Sequence, residues 1–423
     1  MKKIFFTVLL SLFILPKVVN AGITPLAKVG DKYYSSLEEA ILNVSSNDII
    51  TLISDVTLDN TLQINKTVNI NLNGKTIVAA EKVFEVKGGY LNLSGSGTIK
   101  ESKPKYGAVM LVGSNNVNDN KYSSVHVGKD ITLEGWSGIF ISHENSKSYG
   151  VVVYLDGKIN AVDDVDGDTG IGVYVNGNIK DKESNPVINI SDGAQINSTG
   201  TGLYIAGYSN FYIGKAKITG VESGIGIKSG ILNINGATVT ATGIDKTPTG
   251  GYNNGIKASG TAIQIESNNG YAGDIQINIS NGKFTSKNSH VIYEYIGRGN
   301  SSLIYSMSFS NGTFISEAGK NVFFFSESFK DIHSGFISGG KYSSNPSEYL
   351  KSGYSTVNEG GIYSVTKNIL KTVSGSNVDS NKPTFLKSLI SLLTIILLGF
   401  IIYLNRMKIS NWLRNIKYKF KKS

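Results

Sequence analysis

The stretches SNGKFTS (Ser280–Ser286) and SNGTFIS (Ser310–Ser316) are almost one heptapeptide written twice, thirty residues apart. Each sets a glycine between two short alternating runs. The same grammar recurs in NLNGKTIVA ending at Ala79, SGSGTIKES ending at Ser102, HVGKDITLEG ending at Gly135, YLDGKINAV ending at Val162 and ISDGAQINS ending at Ser198. It continues in YIGKAKITG ending at Gly220, NINGATVTAT ending at Thr242 and ISGGKYSS ending at Ser344. The turn glycines are Gly74, Gly97, Gly128, Gly157, Gly193, Gly214, Gly236, Gly282, Gly312 and Gly340, spaced 21 to 46 residues apart, with the shortest steps near 22. Longer steps hold polar inserts such as GIDKTPTGGYNNGIKA, residues 243–258. A fixed minimal unit with inserts at some turns is the mark of a repeat array.

A second series runs in step with the first: GIFI from Gly138, GIGVYV from Gly170, GLYI from Gly202, GIGI from Gly224, AIQI from Ala262, VIYEY from Val291 and VFFF from Val322. Period-two alternation with β-branched and aromatic residues marks these as strands. Two strands around each glycine turn and a third upstream of the next make a coil of a β-solenoid, predicting an all-β parallel β-helix. Ile139, Ile171, Leu203, Ile225 and Ile263 are expected to stack in one inward column, with like side chains forming ladders along the stack. An open stack exposes strand edges, so its ends need covers. SSLEEAIL (35–42) has Ser35 three residues before Glu38 and Ser36 three before Glu39, the capping-box spacing, and it predicts a short amphipathic helix over the first coil. At the far end the aromatic, less periodic residues 345–365 are expected to close the last coil.

Both termini carry apolar segments. Lys2 and Lys3 precede the run Ile4–Ile14, and Val19-Asn20-Ala21 supplies compact residues, which predicts a signal peptide over residues 1–21. FLKSLISLLTIILLGFIIYL (385–404) is long enough to span a hydrocarbon core of about 30 Å. Seven Lys and Arg follow it with no acidic residue, placing residues 405–423 in the cytoplasm and the rest outside. Asn381-Lys382-Pro383-Thr384-Phe385 sits where a sortase signal would stand but lacks the residue between Pro and Thr that LPxTG requires, so retention in the membrane is expected. The expected organisation is therefore signal peptide 1–21, N-terminal cap 22–45, parallel β-helix 46–365, linker 366–384, transmembrane helix 385–404 and basic tail 405–423.

This topology accounts for the charge. The chain has 41 Lys+Arg and 32 Asp+Glu, but 11 of the basic residues lie in the terminal segments and Lys387, leaving 30 basic against 32 acidic outside, about −2. The basic balance thus reflects membrane orientation and says nothing in favour of nucleic acid, which is not expected as a partner. Absence of cysteine excludes disulfides, thiol catalysis and thiolate metal sites. Only three arginines among many lysines, with abundant Asn and Ile, fit an AT-rich bacterial coding bias.

VGDKYYSSLEEAI followed by ITLISDVTLDNTLQINKTVNINLNGKTI, and ISGGKYSSNPSEYLKSGYSTVNEGGIYSV near the end, resemble bacterial surface proteins with a right-handed parallel β-helix of the pectate-lyase-like type. The resemblance covers residues 27–365. It implies a cell-surface β-helix, often adhesin-like, on a fold that hosts lyases, hydrolases, binders and inert stalks.

Candidate chemistry is sparse. Asp164, Asp166 and Asp168 alternate as in calcium loops, but Val175 stands at the twelfth position and no glycine at the sixth, so a solvated acidic turn is expected. His126, His143, His290 and His333 have no HxxxH spacing, and Arg298 is the only arginine of the exported part. GIGVYVNG (170–177) is a strand rather than a phosphate loop. Tyr293, Tyr295, Tyr305, Phe309, Phe314, Phe323, Phe324, Phe325, Phe329 and Phe336 crowd the last coils; alternation sends about half of them inward, so a stacked core and cap is expected over a binding platform. No catalytic, metal or cofactor residue is assigned. The sequence supports a noncatalytic, single-pass, membrane-anchored extracellular protein that presents loops to a glycan or a cell-surface protein. The alternative is a membrane-tethered polysaccharide lyase or glycoside hydrolase acting on uronate-type glycans.

Overall fold

Period-two alternation sends every second side chain of a strand to one face, and a buried face fixes the register of its neighbours. The computed structural model describes residues 24–119, 121–246, 260–298, 305–326 and 334–368, so the expected signal peptide, transmembrane helix and basic tail lie outside the described residues. Among the described residues no helix is long and apolar enough to cross a membrane. The chain from Ile49 to Phe324 winds through ten successive coils. Each contributes an a strand and a b strand on either side of the turn, then a c strand. Coil 1 is Ile49–Leu52, Val56–Thr57 and Leu62–Ile64; coil 10 is Tyr305–Phe309, Thr313–Ser316 and Phe323–Phe324. In coils 8 and 9 the a and b strands merge into Gly230–Ala241 and Ile275–Ser286, which pair with a register shift around Asn235. From coil to coil, a pairs with a, b with b and c with c, all in parallel. This is a parallel β-solenoid. The turn of coil 1 carries Ser54 and Asp55 in place of the glycine found in later coils.

Identical registers make the core a set of columns. The b column runs Ile77, Ile99, Leu133, Ile159, Ile196, Ile218, Val239, Phe284, Phe314, Tyr342, and every member is fully buried. The two heptapeptides of the opening thus place Phe284 and Phe314 at one slot in consecutive coils. Their rings stack with centroids 4.8 Å apart, and Phe314 stacks on Tyr342 at 4.9 Å. These distances match the strand spacing of about 4.8 Å. Gly312 is required by the same stack: its φ is +131°, and a Cβ there would stand 3.0 Å from the Phe314 ring.

One expected column member is corrected. The inward c column is Ile139, Val173, Leu203, Ile225, Ile263, Ile292, while Ile171 pairs with Ser137 and Thr201 and packs outside against Tyr174 and Trp136. The glycines that align are Gly138, Gly172, Gly202 and Gly224. At each a Cβ would meet the side chain of Ile159, Ile196, Ile218 or Val239 within 2.5 Å. Gly172, and not Gly170, therefore sets the register of GIGVYV.

Both ends are closed. The helix Leu37–Asn43 buries Leu37, Ala40 and Ile41, and Ser36 caps it, its Oγ accepting the Glu39 N–H at 3.1 Å. Of the two serines with capping-box spacing, Ser35 instead donates its Oγ hydrogen to Glu39 Oε2. The cap also contains a hairpin, Ala27–Val29 with Lys32–Tyr34, whose first strand runs antiparallel to Thr51 and Leu52 of coil 1. At the other end the hairpin Tyr354–Glu359 and Ile362–Lys367 lays Tyr363 and Ser364 antiparallel to Tyr342 and Lys341, and its strand passes two residues beyond the expected boundary at 365. Antiparallel covers stop the parallel ladder from recruiting another chain.

Glu101, 1% exposed, fastens coil 3 to coil 4. Its Oε1 accepts the N–H of Gly107 at 2.7 Å and of Tyr106 at 3.3 Å, and its Oε2 accepts the N–H of Trp136 at 2.8 Å. Burial pushes its carboxyl from about 4.5 up to about 7, although the N–H groups around it pull the other way.

Replacing Phe314 by alanine opens the aromatic column and should cost about 3–5 kcal/mol in urea unfolding. A raised carboxyl favours the fold fully below its unfolded pKa, and that contribution is lost as pH rises through the folded value. Stability of the wild type relative to Glu101→Gln should therefore fall by roughly 3 kcal/mol between pH 4.5 and about 7. Parallel urea titrations of the two proteins check this.

Candidate functional site

The outer face of the a strands carries its own column. Asn69, Asn92, His126, Tyr154, Asn189, Tyr212, Asn233, Asn278 and Ser308 occupy equivalent registers in successive coils. Each is the outward residue between two inward apolar ones, as in INI or FYI, so the period that builds the core also aligns these groups.

Hydrogen bonds hold the column still. Asn278 Nδ2 donates to Asn233 Oδ1 at 2.9 Å, Asn233 Nδ2 to the Phe211 carbonyl at 3.3 Å and Asn189 Nδ2 to the Val153 carbonyl at 3.3 Å. Around coils 6 to 10 this face forms a groove of about 540 Å³, walled by Asn189, Ser191, Tyr212, Asn233, Asn235, Asn278, Ser280, Ser308 and Ser310 over the backbone of Ile190, Ile213, Gly214, Ile234 and Ile279. Its described lining has amides, hydroxyls and one tyrosine ring, and no charged side chain. Tyr212 is 48% exposed, and Tyr154, two coils earlier in the column, is 45% exposed.

Beyond the groove, His126 ties the column together. Its Nδ1 meets Asn92 Oδ1 at 3.0 Å and its Nε2 meets Asp156 Oδ2 at 2.8 Å. Burial pushes the Asp156 carboxyl up, but hydrogen bonds from His126 and Ser191 outweigh it and hold the group below the usual carboxylate range. The groove is equipped to accept and donate hydrogen bonds and to stack a ring.

The other sequence candidates disperse. Asp164 Oδ1 accepts the N–H of Asp166 at 2.9 Å and of Asp168 at 2.7 Å, a self-satisfied turn. Among the described residues no three His, Asp or Glu side chains gather as a metal site. His143 Nδ1 accepts the Ser146 N–H, and His290 Nδ1 bonds the Asn321 carbonyl. His333 and Phe329 lie outside the described residues, and Arg298 ends the strand Ile292–Arg298. Tyr305, Phe309, Phe314, Phe323, Phe325 and Phe336 are buried in the core and cap, whereas Tyr293 is covered on the outer c-strand face, where it stacks on the exposed Phe324 at 4.7 Å. Tyr295 is engaged with Glu266.

The inserted loops to which the sequence pointed lie partly outside the described residues; the groove lies on the strands. Its signal was available: a polar or aromatic residue at the central outward position of each a strand. No family model, curated protein or solved structure matches the chain.

Proposed function

We propose that the chain is a noncatalytic, adhesin-like bacterial surface protein of the right-handed, pectate-lyase-like β-helix type. On this reading it is anchored once in the cell membrane with its N-terminus outside, and the a-strand groove binds a neutral carbohydrate. The observation that carries the proposal is the uncharged lining of a 540 Å³ groove by fixed asparagine amides, serine hydroxyls and the half-exposed Tyr212. Sugar hydroxyls need paired donors and acceptors, and the flat apolar face of a sugar suits a tyrosine ring. An ionic ligand such as a uronate polymer would find no counter-charge among the groove's described residues. The signal-like residues 1–21 and the apolar residues 385–404 support export and anchoring.

Residues 22–384, screened against neutral and uronic glycans, should bind a neutral glycan. Tyr212→Ala should weaken that binding about tenfold, equivalent to roughly 1.4 kcal/mol, while Tyr122→Ala, at an exposed position outside the groove, should not. New reducing or unsaturated ends from a uronate polymer would overturn the noncatalytic reading. In cells the full chain should fractionate with membranes, and external protease should remove the β-helix while sparing the basic tail; recovery of a wall-linked form without that tail would overturn the anchor.

A further inference from the structure

Lys228 is the one lysine among the described residues that is almost wholly buried, at 2% exposure. It follows the c strand of coil 7, Ser223–Ile227, and continues the pairing of Ile227 with Ile265 so that it stands beside Glu266 of coil 8. Its Nζ lies 2.7 Å from Glu266 Oε2, donates to the Tyr271 hydroxyl at 3.2 Å and sits over the rings of Tyr204 and Tyr271 at 5.0 and 4.9 Å. The other oxygen of the same carboxylate, Oε1, accepts Nδ2 of Asn268 at 2.7 Å. The Oδ1 of Asn268 accepts the Gly270 N–H at 2.8 Å. Glu266 and Asn268 are 3% and 7% exposed. Gly297 leaves room for them, since a Cβ there would stand 2.3 Å from Glu266 Oε1 and 3.1 Å from Asn268 Nδ2.

One buried carboxylate therefore bridges an amine and a primary amide, and a backbone N–H holds the amide oxygen. We propose that Lys228 and Asn268 are joined by an intramolecular isopeptide bond formed with Glu266 as proton shuttle. A proton passes from Lys228 Nζ to Glu266 across their contact, and the neutral amine attacks Cγ of Asn268. The Gly270 N–H stabilises the negative charge that develops on Oδ1. Glu266 returns the proton to Nδ2, the Cγ–Nδ2 bond breaks and ammonia leaves, and the attacking nitrogen passes its second proton to Glu266, so that ammonium and carboxylate end as amide N–H, carboxylic acid and ammonia. One carbon–nitrogen bond forms and one breaks, so amine and primary amide become secondary amide and ammonia without oxidant, reductant or cofactor. Tyr295, whose hydroxyl donates to Glu266 Oε2 at 2.6 Å, and Tyr271 position the shuttle and the amine and keep water out. The bond would tie coil 7 to coil 8, in a chain that has no cysteine for a disulfide.

Tryptic digestion and tandem mass spectrometry of the full chain test this. The expected product is a branched peptide joining Lys228 to Asn268, lighter than its two linear parts by one ammonia, with no cleavage after Lys228. Glu266→Ala and Asn268→Ala should each yield only linear peptides, and Asn268→Asp should link with loss of one water. Because a variant at a buried site can fail through misfolding, the wild-type digest decides: cleavage after Lys228 together with an unmodified Asn268 peptide overturns the proposal, as does a link from Lys228 to any other acceptor.

Discussion

The structure depends on one constraint, that each coil must repeat the register of the one below it. Parallel strands about 4.8 Å apart place equivalent side chains in direct contact, so an inward position is a column and not a single site. A column of β-branched and leucine side chains excludes water along its length and satisfies its backbone groups between coils. Toward the C-terminal end, aromatic rings replace the aliphatics in the same slots, as Phe284, Phe314 and Tyr342 do. Stacked rings then lead into the cap, where Phe336 meets Phe309 edge to face at 5.0 Å. The constraint also explains how a chain without cysteine folds: cohesion comes from stacking that every coil renews.

The same register acts outside. A strand that must point isoleucines inward at alternate positions leaves one outward residue between them, and stacking turns that residue into a row. Where the row is asparagine, amides bond to one another or to neighbouring carbonyls. Preorganised polar groups lose less entropy on binding than mobile loops. The groove is thus a consequence of the fold's periodicity, and its neutrality distinguishes it from the ion-paired inserts, where Lys182 meets Asp274 and Lys320 meets Asp245.

The outer face of the c strands follows different physics. Phe140, Tyr174 and Tyr204 stack in register with centroid separations of 4.6 and 5.1 Å, and Tyr271 folds back over this surface until its ring lies against the Cα of Gly177. Covering the face buries Lys228 and Glu266 as well. A buried ion pair loses much of its attraction to desolvation and is weak evidence for stability, so the retention of amine, carboxylate and amide together under this cover calls for a chemical account.

The sequence alone determined the repeat, because alternation and turn glycines are local signals. From them came the strand type, the parallel solenoid, the helix over the first coil with its buried Leu37, Ala40 and Ile41, and the inward fate of most C-terminal aromatics. Tertiary structure decided what depends on register between coils separated by inserts of unequal length. Ile171 left the inward column because Gly172, not Gly170, fits against Ile196. Coil 1 pairs with coil 2 although its turn carries no glycine. The amide column and the Lys228–Glu266–Asn268 cluster were invisible for the same reason: their members lie far apart in the chain, and only stacking brings each above the next.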